Sequence, residues 1–245
     1  MIGLRASAKL TWNLEITGRR PDGYHELRSE MTTIDLDDVL VVDEAGDYVR
    51  VFNPFASPVP EGRANLVARA LELVGRRAGV VIEKAIPVGG GLGGGSADAA
   101  AILRWAGGVD ASVALTLGAD VPFCQVGGRA LVEGVGERVT PLAYERRHVT
   151  LFVPTFSVAT ATCYQAYDEL YAGGWRPSGP NHLDVPARAV EPRLGVVLDW
   201  LRERYGNVNL AGSGSTMFVE GWPEDRGDVA SPAGSVRVVT TITTP

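Results

Sequence analysis

Lysine is nearly absent from this chain. Of 23 basic residues only Lys9 and Lys84 are lysine, and the other 21 are arginine. A codon preference for arginine accounts for the excess. Under such a bias lysine persists most readily where a compact charge with three rotatable donors is needed and a planar fork will not serve. Both survivors are therefore candidate functional residues. Cysteine is scarce as well: Cys124 and Cys163 stand far apart, outside any CxxC or metal-ligand spacing, which argues for free thiols in a reducing compartment. No apolar run approaches the roughly 18 residues that a membrane span needs. Met1 to Leu10 carries no signal-peptide pattern, so the cytoplasm is the expected location. Positive charge is in deficit, with a net charge of −6. That speaks against a general nucleic-acid or membrane surface and still allows a local basic pocket. No internal repeat is visible. What remains is an ordinary globular composition over 245 residues, 45% hydrophobic and 21% charged, long enough for one large domain or two small ones with a buried core.

Glycine is abundant, and its placement is informative. The segment Ile86 to Ala101, IPVGGGLGGGSADAAA, sets six glycines around one leucine. The apolar run Val80 to Glu83 before it reads as a strand, and Ser96 to Ala106 after it reads as a helix with Ser96 as N-cap. Glycines allow close backbone approach and positive φ. A helix start adds unpaired N–H groups and a positive dipole end. The three together form a cradle for a triphosphate; the plainer alternative is a flexible linker. No Gly-Lys-Ser/Thr tripeptide exists, which excludes a P-loop. A GxGxxG match at Gly89, Gly91 and Gly94 lacks a strand before Asp110, so a dinucleotide fold is the weaker reading.

Two further segments complete a constellation. In LGADVPF, Leu117 to Phe123, Asp120 stands among small and apolar neighbours. It is a candidate base for an attacking hydroxyl, or else a helix cap. Lys9 would keep such a carboxylate ionised and stabilise a developing alkoxide, or else it guards a strand edge. In LAGSGSTM, Leu210 to Met217, Gly212 and Gly214 permit close approach and the hydroxyls offer donors.

Around these motifs, Leu10, Trp12, Leu14 and Ile16 alternate as a strand with Lys9 at its start, and Arg19 to Gly23 is a turn. Strands are expected at Val39–Val42, Leu131–Glu133, Val149–Val153, Met217–Glu220 and Val236–Ile242. Helices are expected at Asn65–Arg77, stopped by Gly79, and at Thr162–Tyr171 and Pro192–Arg204. Gly173–Pro186 and Glu224–Ser235 read as loops. Strands and helices without strict βαβ alternation give an α+β class.

The lysine-bearing first strand, the glycine loop and the late glycine motif, in this order, resemble the galactokinase, homoserine kinase, mevalonate kinase and phosphomevalonate kinase (GHMP) superfamily. The resemblance runs from Ala8 to about Phe218. SAKLTWNLEITGRRPDGYHEL (Ser7–Leu27), LGADVPF, EGVGE (Glu133–Glu137) and NHLD (Asn181–Asp184) narrow it to the branch that acts on a cytidine-diphosphate-linked methylerythritol. The resemblance implies a trimmed two-domain GHMP architecture. Residues 1–147 would form a ribosomal protein S5 domain 2-like ATP-binding domain, and residues 148–245 a ferredoxin-like domain. It implies ATP and Mg²⁺ as cofactors, no nucleic-acid or membrane partner, and a monomer or homodimer. Lys9 and Asp120 would be the catalytic pair. Pro87, Gly89, Gly90, Gly91, Leu92, Gly93, Gly94, Gly95 and Ser96 would hold the phosphates, with Asn65 and Lys84 near the nucleotide base. Tyr24, His25 and Tyr164 would grip the cytidine, beside Gly212 and Ser213. Metal ligands stay unassigned, with Ser96 the only candidate. Thr11 departs from a usual asparagine, and the stretch Ala101 to Leu117 is short by about one helix. The rival functions are another GHMP kinase and a nucleotide-binding regulator without turnover.

Overall fold

The computed structural model describes residues 1–55, 57–223 and 227–245. In chain order the elements are β1 (Ile2–Thr11), β2 (Glu15–Arg19), β3 (His25–Asp43), β4 (Tyr48–Phe52), α1 (Leu66–Leu73), β5 (Gly79–Glu83), α2 (Gly94–Trp105), α3 (Ala111–Leu115), α4 (Val121–Val126), β6 (Arg129–Gly134), β7 (Arg138–Pro141), β8 (His148–Pro154), α5 (Thr160–Ala172), α6 (Asp184–Val190), α7 (Pro192–Tyr205), β9 (Asn209–Leu210), β10 (Met217–Glu220), β11 (Asp228–Ser231) and β12 (Gly234–Thr244). Among the described residues no helix is long and apolar enough to cross a membrane.

β3 is the spine. Its 19 residues pair antiparallel with β1, β2, β5 and β6 along different stretches. Its inward positions are Leu27, Ser29 and Met31 on one phase, then Ile34, Asp38, Leu40 and Val42 on the other. The phase of burial changes near Met31, so period-two patterning exposes only the last stretch, Val39–Val42. Opposite this change, β1 shifts register between Ser7 and Lys9. Helices α1, α2 and α4 cover the sheet. Their apolar residues join those of β1, β3, β5 and β6 in one buried cluster around Leu10, Ile34, Leu40, Ile82, Ile102 and Phe123. A second cluster holds Phe152 of β8, Met217 of β10 and Val236 of β12 under α5, α6 and α7. β12 joins the two halves: Val236–Ile242 pair with β8, and Thr243 and Thr244 pair with Ile34 and Thr33 of β3.

Several local expectations change. Lys9 lies near the end of β1, not at its start, and the alternating run Leu10–Ile16 is split at Trp12–Leu14 between β1 and β2. Asn13 marks the break: its side-chain oxygen accepts from the Glu30 N–H at 2.9 Å and its carbonyl from the Ser29 hydroxyl at 2.5 Å. Helix α1 ends at Leu73, with Gly75 at φ 62° rather than Gly79 as the stop; Gly79 opens β5. Gly93, at φ 70°, takes the N-cap position of α2, so Ser96 lies inside its first turn. Between α2 and α4 only the five-residue α3 is present. Pro186 falls in the first turn of α6, where its missing N–H costs nothing. Of the expected loop Glu224–Ser235, residues 224–226 lie outside the described residues, while Asp228–Ser231 and Gly234–Ser235 belong to the β11–β12 hairpin.

Candidate active site

The glycine loop is wedged between β1 and the Leu210–Met217 segment. Lys9 N–H donates to the Leu92 carbonyl at 3.0 Å, and Thr216 N–H to the Gly90 carbonyl at 3.1 Å. Gly91 and Gly93 have φ of 79° and 70°, but space matters as much as conformation. A Cβ on Gly91 would stand 2.4 Å from the Ala211 carbonyl oxygen, and one on Gly93 would stand 2.8 Å from Cγ of Lys9. Any side chain there would push the loop off its supports. The loop then feeds α2, whose first intrahelical bond is Ala97 N–H to the Gly93 carbonyl at 2.8 Å. The first-turn amides of Gly94, Gly95 and Ser96 are left as donors at the positive end of the helix dipole.

Lys9 is buried, and its ammonium donates to Thr11 Oγ1 at 2.9 Å and lies 3.4 Å from Asp120 Oδ2. Thr11, which departs from the superfamily pattern, thus serves as acceptor for the lysine. The Asp120 side chain is 30% exposed against 6% for Lys9, so the carboxylate faces the cleft and the cation backs it. Asp120 occupies the N-cap position of α4 without capping it, which leaves its oxygens free of that duty. The EGVGE turn fixes the backbone beneath: a Cβ on Gly136, at φ 121°, would stand 2.1 Å from the Ala119 carbonyl oxygen. Burial, with the Asp120 charge next, pushes the Cys124 thiol up. Burial and then Asp120 do the same to the Tyr164 phenol. Both groups are neutral neighbours of the pair.

Lys84 and Asn65 line the same cleft, yet their polar atoms are already engaged. The Lys84 ammonium is held by Asp38 and by Asp98 Oδ2 at 2.7 Å, all three side chains being nearly or wholly buried. Asp38 Oδ1 also accepts from the Ala85 and Ile86 N–H groups, at 2.6 and 2.8 Å. This triad ties β3 and α2 to the segment that leads into the glycine loop. Among the described residues Asp98 Oδ1 is buried without a partner, and burial outweighs the pull of Lys84 to lift this carboxyl to about 7. Asn65 caps α1 by accepting from Val67 N–H at 2.9 Å while donating to the Pro60 carbonyl at 3.0 Å.

The cleft is also bordered by Tyr164, Gly212 and Ser213. Ser213 Oγ is 2.9 Å from Thr160 Oγ1. Asn181 donates to the Leu210 and Gly212 carbonyls at 2.9 and 2.8 Å, which explains the NHLD element as a brace for the late glycine motif. His25 stands behind Tyr164, ring stacked on ring at 5.0 Å, and Tyr24 is 65% exposed outside the cleft. Asp38, Asp98, Thr160 and Asp168 are not among the site residues expected from sequence, where Asp98 reads only as a first-turn helix residue. Asp98 carried a signal, as the one charge in the otherwise small and apolar stretch Ala97–Leu103.

Lys9, Asp120, Asn65, Lys84, Pro87, the residues Gly89 to Ser96, Tyr164, Gly212 and Ser213 all border one cleft of about 470 Å³; Tyr24 and His25 do not. Residues 65–128 match the family described as GHMP kinases N terminal domain. A 4-diphosphocytidyl-2-C-methyl-D-erythritol kinase of Methylibium petroleiphilum is 35% identical over 88% of this chain and 83% of its own. The enzyme of the same name from Paracoccus denitrificans is 36% identical over 87% and 84%. A solved 4-(cytidine 5'-diphospho)-2C-methyl-D-erythritol kinase superposes over the full length of both chains with a TM-score of 0.72 at 33% identity. L. major mevalonate kinase in complex with R-mevalonate shares the fold at a TM-score of 0.58 and 11% identity, over 100% of this chain and 96% of that one. Fold, cleft and sequence similarity agree: the chain belongs to the 4-diphosphocytidyl-2-C-methyl-D-erythritol kinase family of GHMP kinases.

Proposed function

We propose that this chain transfers the γ-phosphate of ATP to the 2-hydroxyl of 4-diphosphocytidyl-2-C-methyl-D-erythritol, a step of the non-mevalonate route to isoprenoid precursors. The observation that carries the reading is the Lys9–Asp120 pair at 3.4 Å, set in one cleft with the glycine loop and the start of α2. In this reading Asp120 orients the acceptor hydroxyl and takes its proton as the oxygen attacks in line. Lys9 stands beside the Asp120 carboxylate and offsets charge on the developing alkoxide. The amides of Gly94, Gly95 and Ser96 receive the phosphate oxygens. Tyr164 supplies an aromatic face for the cytosine; Tyr24 and His25, which lie outside the cleft lining, would meet the base only from beyond its rim.

Among the described residues there is no group of three or more His, Cys, Asp or Glu side chains fit to hold a metal alone. That suits Mg²⁺, which binds mainly through nucleotide phosphates with one or two protein oxygens. Ser96 Oγ and Asp120 are the protein oxygens at the cleft that would meet it. When bound, Mg²⁺ neutralises charge on the β- and γ-phosphates. Lys84 and Asn65 act on the nucleotide end chiefly by holding the loop and α1. The division at residues 1–147 and 148–245 belongs to the same proposal. It is supported by the two apolar clusters, although Val149, Leu151, Ala211 and Phe218 pack with the first.

The test is substrate-dependent ADP release by wild type and Asp120→Asn. The expected result is turnover by wild type, a loss of about a hundredfold or more in the variant, and nearly unchanged ATP binding. Wild-type rates in the variant would remove Asp120 as base. ATP binding without turnover by wild type would point to a regulator or another acceptor alcohol.

A further inference from the structure

The break between β1 and β2 is bridged by a segment from the second half of the chain. Leu14 N–H donates to the Pro180 carbonyl at 2.8 Å, and His182 N–H donates to the Leu14 carbonyl at 2.8 Å. Leu14 and Asn181 thus form an isolated parallel bridge. One more bond extends it: the Ile16 N–H of β2 donates to His182 Nδ1 at 3.0 Å. The bridge sits against the cleft. Leu14 and Leu183 line it, and Asn181 holds the Gly212 carbonyl at 2.8 Å. His182 is not part of the lining, so it acts on the cleft only through these neighbours.

The bond to Ile16 fixes where the imidazole proton lies. A backbone N–H only donates, so Nδ1 presents its lone pair and the neutral ring carries its proton on Nε2. Among the described residues Nε2 has no hydrogen-bond partner and is not sealed from solvent. A second proton has only Nδ1 to bind, and there it faces the Ile16 N–H, donor against donor. The charged imidazole therefore cannot make this bond. The charged groups on the flanking elements are Glu15 of β2, its register partner Arg28 of β3, and Asp184 of α6, whose oxygens are taken by Arg188 and Arg202 at 2.5 and 2.8 Å. Among the described residues none of them forms an ion pair with His182.

We propose that His182 is a positioning residue: its neutral imidazole latches β2 to the bridge and keeps the part of the cleft bordered by Leu14, Leu183 and Gly212 in shape for the acceptor, and its protonation opens the latch and weakens acceptor binding. Acceptor binding belongs to the functional reading above; the latch stands without it. Two substitutions separate the roles of the ring. His182→Asn places Oδ1 where Nδ1 stands, an acceptor that takes no proton. His182→Leu offers no acceptor at all.

The experiment measures KM for the diphosphocytidyl substrate from about pH 8 to about pH 5.5, the range over which imidazoles charge, in wild type and both variants. His25, the other imidazole near the cleft, is 2.7 Å from Asp168 and is present in all three proteins, so its titration cancels in the comparison. At pH 8 wild type and His182→Asn are expected to agree within about twofold, with KM in His182→Leu raised about fivefold. On acidification the wild-type KM should climb to about fivefold above that of His182→Asn, while kcat in the three proteins stays within about threefold at each pH. Equal KM in wild type and His182→Asn at every pH, or a wild-type KM in His182→Leu at pH 8, overturns the proposal. Nitrogen NMR of the substrate-free wild type needs no substitution. A bare Nδ1 and a protonated Nε2 are expected at pH 8, with an Ile16 amide signal that shifts as the ring charges. The opposite tautomer, or an amide indifferent to that titration, overturns the latch. Absence of acceptor turnover by wild type would remove the functional reading instead, and the Ile16 amide would then decide the latch alone.

Discussion

Both lysines that survive in this arginine-rich chain are buried, and each is used as a point charge. Around Lys9 the room is set by Gly93 and by Gly212, where a Cβ would stand 3.5 Å from the ammonium. A guanidinium is broader and cannot place one charge between Thr11 and Asp120. Lys9→Arg is therefore expected to lower kcat by about a hundredfold or more while the KM for ATP changes little, as steady-state kinetics would read. At Lys84 the consequence falls on stability. Asp98 has its carboxyl lifted from 3.8 to about 7, by burial first. Between roughly pH 4 and pH 7 the folded protein holds a proton there that the unfolded chain has released. This stability is complete below the unfolded value and is lost as pH rises through the folded one. The urea midpoint of wild type should fall between about pH 4 and pH 7, and Asp98→Asn should flatten that fall, since the amide does not titrate. An equal slope in both proteins would place the proton elsewhere.

At the scale of elements, the geometry of the proposed catalytic pair is set by turns that carry no chemistry. The EGVGE turn between β6 and β7 touches Ala119 so closely that Gly136 admits no side chain. Gly136→Ala must move either this turn or the backbone leading into Asp120. If Asp120 acts as proposed, a shift of about 1 Å in its carboxylate costs on the order of a hundredfold in rate, so kcat should drop by about that amount. Gly3→Ala, in β1 with open space around it, should leave kcat unchanged; equal effects in both would dissociate Gly136 from Asp120. The division between what was legible in sequence and what was not follows contact range. The glycine loop, the helix after it and the Lys9 and Asp120 motifs are local signals, readable within a few residues. Asp38 and Asp168 meet their partners across 46 and 143 residues, and no local pattern encodes such pairings. Serine chemistry suggests Ser96 as the cap, but Gly93 in the left-handed conformation starts α2 earlier. Sequence patterning shows only the end of β3 because its buried phase changes midway.

Across the whole molecule, one strand stitches the two apolar clusters together. β12 runs along β8 and then passes to β3 at Thr243 and Thr244. The connection before β8 is clamped at this crossing. Arg147 N–H donates to Thr243 Oγ1 at 2.9 Å, that hydroxyl donates to the Glu145 carbonyl at 2.7 Å, and Thr243 N–H donates to the Arg147 carbonyl at 3.0 Å. Arg129 of β6 adds bonds to Glu30 of β3 and Glu145, at 2.8 and 2.5 Å, and Arg147 lies over the Trp12 ring at 4.5 Å. The ionic part is partly exposed and contributes little by itself. The Thr243 hydroxyl is different: it is buried, 1% exposed as a residue, and satisfies a donor and an acceptor at once. Thr243→Val keeps the shape and leaves both groups unmet, at a cost of about 2 kcal/mol. For a chain of this length that corresponds to a Tm lower by roughly 4–8 °C. The residue lies outside the cleft lining, so kcat should stay within about threefold of wild type. Calorimetry and turnover on the same preparation would read both. A fall in Tm with kcat preserved identifies the crossing as a stability element. A fall in kcat with Tm preserved would mean instead that this clamp sets the geometry of the cleft.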